Sequence, residues 1–385
     1  MSVLLLIIGI ILFIGLVVVH EFGHFIAARR GGVDVEEFGI FFPPRLYKRK
    51  MKGGWNFTIN LLPLGGFVKL KGEHDSDTTP NSFGAATLAT KTKIMAAGVF
   101  FNLVTALVLL TFLALIGMPK LIDNQFTVKS DTKVTKQEVF LSYVDVSSPA
   151  AKAGLKTQDK LISLNKETVA TPEALKKITA KNAGKQVTIA YERGGNSRTT
   201  VATLRTMQAV DASKKTDNPK GYLGVSPTAF TLQRSTWSAP VVAVGLSAQI
   251  TKLTLVGLGH ALGGLGSLIA GTVTGNTTAR QHGQTSASSQ VSGPVGIFFV
   301  LQTGSALGFQ FMLLIIAIIS LTLAIMNILP IPALDGGRLW LTLISRGIFK
   351  KPLDARREEI INASGFVTLL LLIAVITVVD IKRFF

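Results

Sequence analysis

Residues 3–30 read VLLLIIGIILFIGLVVVHEFGHFIAARR, and the fold turns on how that run is taken. Up to Val19 every residue is apolar or glycine, and the apolar character continues past His20, Glu21 and His24 to Ala28. At about 1.5 Å per helical residue, the run is long enough to cross a hydrocarbon core of roughly 30 Å. A cleaved signal peptide fits poorly. Met1 and Ser2 supply no basic start, no small-residue cleavage site follows, and Arg29-Arg30 comes directly after the run. The stretch therefore reads as a membrane-spanning helix with three ionisable groups inside it. Such groups cost roughly 2.5 kcal/mol or more when charged, so a use is the default expectation for them.

The rest of the composition agrees. Of 385 residues, 48% are hydrophobic and only 16% charged, against about a quarter charged in soluble domains. There is no cysteine, which excludes disulfides and thiolate metal sites and leaves nitrogen and oxygen as metal ligands. The net charge of +18 comes without a basic stripe interleaved with aromatics. It points to loops facing anionic lipid and not to nucleic acid.

Three further spans are expected at 94–118, 307–329 and 360–379. Arg29, Arg30, Arg45, Lys48, Arg49, Lys50 and Lys52 follow the first span, and Lys91 and Lys93 precede the second. Arg338, Arg346, Lys350, Lys351, Arg356 and Arg357 lie between the third and fourth. By the positive-inside rule all these connections are cytoplasmic and both termini are outside, with Lys382 and Arg383 running against the trend. Residues 55–70, WNFTINLLPLGGFVKL, are too short to cross as a helix; they suggest a hairpin dipping into the membrane surface. Residues 121–230 have the composition of a soluble domain, with a strand at 160–164, a helix near 172–180 and a polar break at 211–220. Residues 238–273 are apolar but glycine-rich and carry Gln249, Lys252 and His260. They are expected as helices on or partly in the membrane, because a fifth span would reverse the charge pattern downstream. The low-complexity 275–290 is expected as a loop.

His20-Glu21-Phe22-Gly23-His24 is the pattern H-E-x-x-H. Residues i and i+4 share a helix face, so both imidazoles can reach one ion while Glu21 is angled to hold a water beside it. Catalytic zinc usually takes three protein ligands and keeps a fourth position open, so one more ligand is required. Asp335, in NILPIPALDGGR (327–338), is the acid near a span end with unusual surroundings. Two prolines break the chain before it and two glycines let backbone come close to a metal or substrate. Asp335 and His24 both fall at cytoplasmic span ends, whereas the rival Asp380 falls at an outer one. An intramembrane His and Asp would also suit a transporter, but a transporter gives no reason to place Glu inside H-E-x-x-H.

HEFGH in the first span, PLGGFVKLKGE after it, SGPVGI at 292–297 and NILPIPALDGG together resemble the site-2 protease family, in its bacterial branch with an inserted PDZ domain. The resemblance covers nearly the whole chain. It implies intramembrane cleavage of single-span substrates by zinc, with His20, His24 and Asp335 as ligands and Glu21 as catalytic base. It also implies substrate contacts at Asn327 and Asn102, although Val99 stands where the family commonly has proline. The strand carrying Gly65, Gly66, Phe67 and Val68 is expected to offer an edge to an unwound substrate. SPAxxAGL at 148–155 resembles a PDZ stretch, and Tyr222, Leu223, Gly224 and Val225 look like the carboxylate-binding loop of a circularly permuted PDZ groove.

The expected protein is thus mainly α-helical and polytopic, with four transmembrane helices, a membrane-associated β-hairpin and an inserted α+β PDZ domain. Its parts are 1–120 with the zinc helix, hairpin and second span, 121–230 as an extracytoplasmic PDZ domain, 231–306 as a membrane-associated segment and loop, and 307–385 with the LDGG motif and last span. It is expected as a monomeric multi-pass protein of the bacterial cell membrane, with its active site toward the cytoplasm. The expected substrates are pre-trimmed single-pass proteins such as anti-sigma factors, or signal-peptide and pheromone precursors.

Overall fold

The computed structural model describes residues 2–216, 219–278, 281 and 293–384, so Ser292 of SGPVGI and most of the low-complexity stretch lie outside the described residues. The chain divides into two compact units, Ala114–Ser238 and the remainder.

The larger unit is built on long apolar helices. Five helices among the described residues are long and apolar enough to cross a membrane. They are α1 (Ser2–Arg30), α2 (Leu88–Ile116), α6 (Ala239–Thr274), α8 (Phe309–Ile328) and α10 (Ala355–Phe384). Most present apolar side chains outward, which in water would be untenable and in lipid costs nothing. The exception is α8, which is enclosed from Met312 to Ile325. The chain is a polytopic membrane protein. The segment expected as surface helices proves to be one continuous helix, α6, of 36 residues. The shorter α7 (Pro294–Leu307) and α9 (Asp335–Thr342) flank α8, and a π-helical turn, Leu343–Ile348, extends α9.

Contacts fix the helix directions. Gly9 lies against Met312 while His20 and His24 reach Asp335, so α1 and α8 run side by side in the same sense. Asn102 meets His20 and Ile94 meets His24, so α2 runs opposite to α1. The apolar cluster of Leu16, Leu301, Met312, Ile315 and Ile316 holds α1, α7 and α8 together.

The hairpin is larger than the sequence suggests. Residues 56–70 are one arm, β2 (Asn56–Leu70), and the basic segment before it is the other, β1 (Val35–Lys50). The first half of β1 pairs on both sides, Val35 with Leu70 and Ile40 with Gly66 on one, and Glu37 with Asn56 and Ile40 with Ile59 on the other. The basic half, from Arg45 with Asn60 to Lys50 with Asn56, adds beyond. Strand segment 66–70 is therefore an edge, with no further strand beside it among the described residues. Val33, Val35, Leu70, Phe83, Ile94 and Leu339 form the core that seats this sheet near the end of α1.

The second unit is a seven-stranded sheet with short helices, in the order β3-β9-β4-β5-β7-β8, and β6 beside β5. Its strands are β3 (Met118–Pro119), β4 (Lys133–Val144), β5 (Lys160–Leu164), β6 (Glu167–Thr168), β7 (Gln186–Arg193), β8 (Asn196–Thr203) and β9 (Val225–Arg234). Its helices are α3 (Pro149–Lys152), α4 (Pro172–Lys181) and α5 (Met207–Ser213), each started by a Ser or Thr side chain that accepts from the first turn. Val139 with Leu141 and Val187 with Ile189 alternate inward along their strands, and with Leu161 and Leu164 they make its core.

Candidate active site

The ring nitrogens of α1 converge on the start of α9. His20 Nε2 lies 2.9 Å from Asp335 Oδ2 and His24 Nε2 3.0 Å from the same oxygen, with 3.3 Å between the two nitrogens. Tetrahedral zinc with arms of roughly 2.0–2.1 Å has ligands about 3.3 Å apart. Three lone-pair donors have thus been brought to ligand spacing inside a membrane unit, and they are the one such group among the described residues. Asp380, the other acid considered, is elsewhere: it is buried and accepts from the backbone N–H of Gly293 and Gly296 at the start of α7, 2.8 Å each.

The far nitrogens of the imidazoles fit a metal as well. His24 Nδ1 donates to Ile94 O at 2.7 Å, which fixes the tautomer and leaves the Nε2 lone pair free. His20 Nδ1 sits 3.1 Å from the amide nitrogen of Asn102, while Asn102 Oδ1 is buried with no partner. Turning that amide end for end gives Oδ1 a partner, because it then accepts from His20 Nδ1–H. His20 Nε2 is again freed for a metal. Asn102 is fully buried behind His20 and its carbonyl accepts from Ser320, so the structure brings it to the imidazole and not to the cleft.

Small residues let the elements close in. A Cβ on Gly98 would stand 2.5 Å from His24 Nε2 and 2.6 Å from His20 Cε1, so only glycine admits α2 here. The sequence shows this glycine in the AAGVFFN stretch, but that it faces the histidines is not readable from it. Gly336 and Gly337 serve a different contact from the one expected. A Cβ on either would lie 2.2 Å from the carbonyl of Leu329 or Ile331, so the glycines let α9 fold back on its own proline-broken approach. That fold aims Asp335, the first residue of α9, at the histidines.

Glu21 opens on a cleft of about 200 Å³ bounded by His24, Phe42, Gly66, Phe67, Val68 and Asp335. The edge segment of β2 therefore forms one wall of the cleft, and Phe42 stacks on Phe67 with ring centres 6.3 Å apart. Phe83 and Arg338 line it as well, and no motif in the sequence marks them out. Asn327 is half-buried in the last turn of α8 and does not line this cleft. Tyr222, Leu223, Gly224 and Val225 belong to the other unit and lead into β9.

A second buried cluster flanks the site. Lys91, at the start of α2, makes an ion pair with Asp75, which also accepts from Arg346 Nε at 3.0 Å and Leu353 N at 2.9 Å. The Asp75 N–H donates to Glu358 Oε2 at 3.0 Å. Burial pushes the Asp75 carboxyl up, but its hydrogen bonds to Lys91, Leu353 and Arg346 outweigh this and hold it below the usual range. In the sequence these cations read as topology signals only.

A helix-borne pair of histidines, a carboxylate from a second helix and a glutamate beside them define a membrane metallopeptidase. The comparisons with known proteins say which. The model of peptidase family M50 matches residues 8–372, and the chain belongs to that family, the site-2 proteases. It is 31% identical over 99% of its length to a Clostridium acetobutylicum protein named a putative zinc metalloprotease, covering 98% of that protein. It is 26% identical over 98% of its length to the Enterococcus faecalis protease Eep, covering 98% of it. It is also 26% identical to the regulator of sigma-E protease RseP of Salmonella typhimurium, over 96% of each chain. The protein is an intramembrane zinc metalloprotease.

Proposed function

We propose that His20, His24 and Asp335 hold the zinc and that Glu21 is the general base. The observation that carries this is the convergence of the two Nε2 atoms and Asp335 Oδ2 within 3.3 Å beside Glu21. Bound zinc supplies a Lewis acid for the scissile carbonyl and for the attacking water. Glu21 takes the proton of that water and returns it to the leaving amine. Asn102 and the Ile94 carbonyl hold the imidazoles in the required tautomer and orientation.

A transmembrane helix cannot be cut while its carbonyls are hydrogen-bonded within it. The substrate unwinds locally and adds to the edge segment 66–70, which brings an extended backbone past Glu21. Gly65, Gly66, Phe67 and Val68 are the contacts on this reading. Four spans are retained, with the site toward the cytoplasm. The parallel course of α1 and α8 supports this, because the chain between α2 and α8 must then return to the face it left. A single crossing by α6 would need a second before Phe309. The 14 residues of α7 give at most about 21 Å of helix, short of a span of roughly 30 Å.

The insert is a circularly permuted PDZ domain, in which loop 221–224 leads into β9 and β9 pairs with β4. None of the residues lining the Glu21 cleft comes from it, so it acts on substrate choice and not on chemistry. The substrates are single-pass membrane proteins already trimmed outside, such as anti-sigma factors, or signal-peptide and pheromone precursors. The relative named regulator of sigma-E protease RseP supports the anti-sigma-factor part of that class. The test is cleavage in vesicles of one transmembrane segment presented either trimmed or with a folded external domain. The protein should cut the first at least about tenfold faster. Replacing the insert with a Gly/Ser linker should abolish the preference; equal cutting of both by the intact protein would contradict the filter.

A further inference from the structure

Loop 221–224 and the strand it feeds have a feature that bears on the peptide-binding reading of the insert. Every carbonyl of the loop is tied inward. Gly221 O accepts from Arg205 Nη1 at 2.8 Å, Tyr222 O from Arg205 N at 3.0 Å, Leu223 O from Ala150 N at 3.1 Å and Gly224 O from Asp145 N at 3.0 Å. Across a trans peptide the next N–H points the opposite way, so the amides are turned out from the body of the unit. Leu223 and Gly224 are buried, yet their N–H groups have no acceptor among the described residues. Buried backbone donors are paired in the great majority of cases, and successive free ones form an anion nest. Gly224 has φ +75° and its Cα lies where a side chain would strike Ser148, so the loop is committed to this shape.

The strand beyond the nest is unusual. Leu141 directs its N–H and C=O to β5-side partners, Asp159 and Gln158, so the alternate residues of β4 are the ones that bond to β9. With Phe140 opposite Thr228, Glu138 opposite Phe230 and Lys136 opposite Leu232, the residues of β9 that face away from β4 are Pro227, Ala229 and Thr231. Thr231 confirms the parity, since its carbonyl accepts from Lys120 on the far side, where β3 begins to cover the strand. Between the nest and β3 the open edge therefore presents Pro227 and Ala229. Proline has no N–H. A peptide added along this edge would find a carbonyl at Pro227 and no donor, on the step next to the nest.

Resting on the PDZ reading, in which the amides of Leu223 and Gly224 take a free C-terminal carboxylate, we propose that Pro227 removes the rung that would register the upstream residues as an added strand, so that the insert recognises the end of a chain and little behind it. Recognition then depends on the last residue and tolerates any sequence before it. This suits an enzyme that must accept many trimmed membrane proteins. Pro227 is the specificity-determining residue, by what it withholds.

The test uses the full-length protein in detergent and fluorescein-labelled ten-residue peptides ending in valine. Each peptide is made as the free acid, as the amide, and with the third residue from the end varied. The wild type should bind the acid, lose binding on amidation, and change less than about twofold when the upstream residue varies. Pro227→Ala restores the N–H and should bind the acid about tenfold tighter, a typical return for one hydrogen bond made and one unsatisfied carbonyl relieved. It should also become selective for the upstream residue; Pro227→Val should do the same, and unchanged melting of both variants shows that the fold is kept. If the wild type already reads the upstream residue as strongly as Pro227→Ala, the proposal fails and the peptide-binding reading stands. If neither protein distinguishes acid from amide, the peptide-binding reading fails with it. If Pro227→Ala self-associates without gaining peptide affinity, Pro227 protects an edge and nothing more, and the proposal fails.

Discussion

Two clusters of buried charged groups lie in the membrane unit, and they differ in what their atoms lack. Around Asp75, donors and acceptors match: Lys91, Arg346 and the Leu353 amide meet the carboxylate, and Glu358 receives the Asp75 N–H. Around Asp335 only acceptors converge. The Nε2 atoms of both imidazoles point at one carboxylate oxygen, and the Ile94 carbonyl on the far side of His24 leaves its Nε2 lone pair facing the site. The first cluster is complete and works as a clamp on the start of α2 and the turn after α9. On the proposed reading the second is complete only with a cation. A buried charge is thus a sign of function when lone pairs face lone pairs, and a sign of structure when each charge has its counterpart.

The largest effect expected from this contrast is at Glu21. Glu21→Gln should keep zinc and lose peptide cleavage by about 10²–10⁴-fold, the range for a general base. Single-turnover cleavage of a labelled transmembrane peptide reads it, and retained cleavage would move the base elsewhere.

The clamp should respond in stability and not in metal content. Asp75→Asn leaves Lys91 buried without its counter-charge, and removing one partner of a buried pair costs roughly 3–5 kcal/mol. The melting temperature should fall by many degrees while zinc per folded chain stays at the wild-type value. Because the Asp75 carboxyl is held below its ordinary range, its contribution is present above the unfolded-state pKa of about 3.9 and is lost as pH falls further. Wild-type melting should therefore hold from neutral pH to about pH 5 and drop below about pH 4. That drop should be smaller in Asp75→Asn.

A smaller effect is expected where the metal site borrows support. Asn102→Ala removes the partner of His20 Nδ1 without touching a ligand, and such losses typically weaken metal binding by roughly 10–100-fold. Competition with a zinc chelator measures it. An unchanged affinity would return Asn102 to the substrate-contact role suggested by resemblance.

Much of this is legible in the chain itself. H-E-x-x-H inside an apolar run fixes a helix and marks the proposed ligand pair and base on it, because a 3.6-residue period and a cost of burial act locally. Asp335 follows from the need for a third ligand and from the prolines before it. The strand 160–164 and the helix near 172–180 are set by local pattern. What is not legible depends on distant partners. The segment 35–50, basic in its second half, looks like a cytoplasmic loop, and it is a strand because residues 56–70 wrap back on both sides of its first half and pair with its second. Lys91 looks like a topology signal, and only the fold reveals Asp75 opposite it. Gly336 and Gly337 read as serving a metal or substrate, whereas they accommodate the chain's own carbonyls.

The most direct test compares zinc per chain in purified Asp335→Asn and Asp75→Asn, measured by elemental analysis at a temperature where both remain folded. The account predicts about one zinc in Asp75→Asn, as in the wild type, and a near-complete loss in Asp335→Asn. Full zinc in Asp335→Asn, or its loss from folded Asp75→Asn, would contradict it.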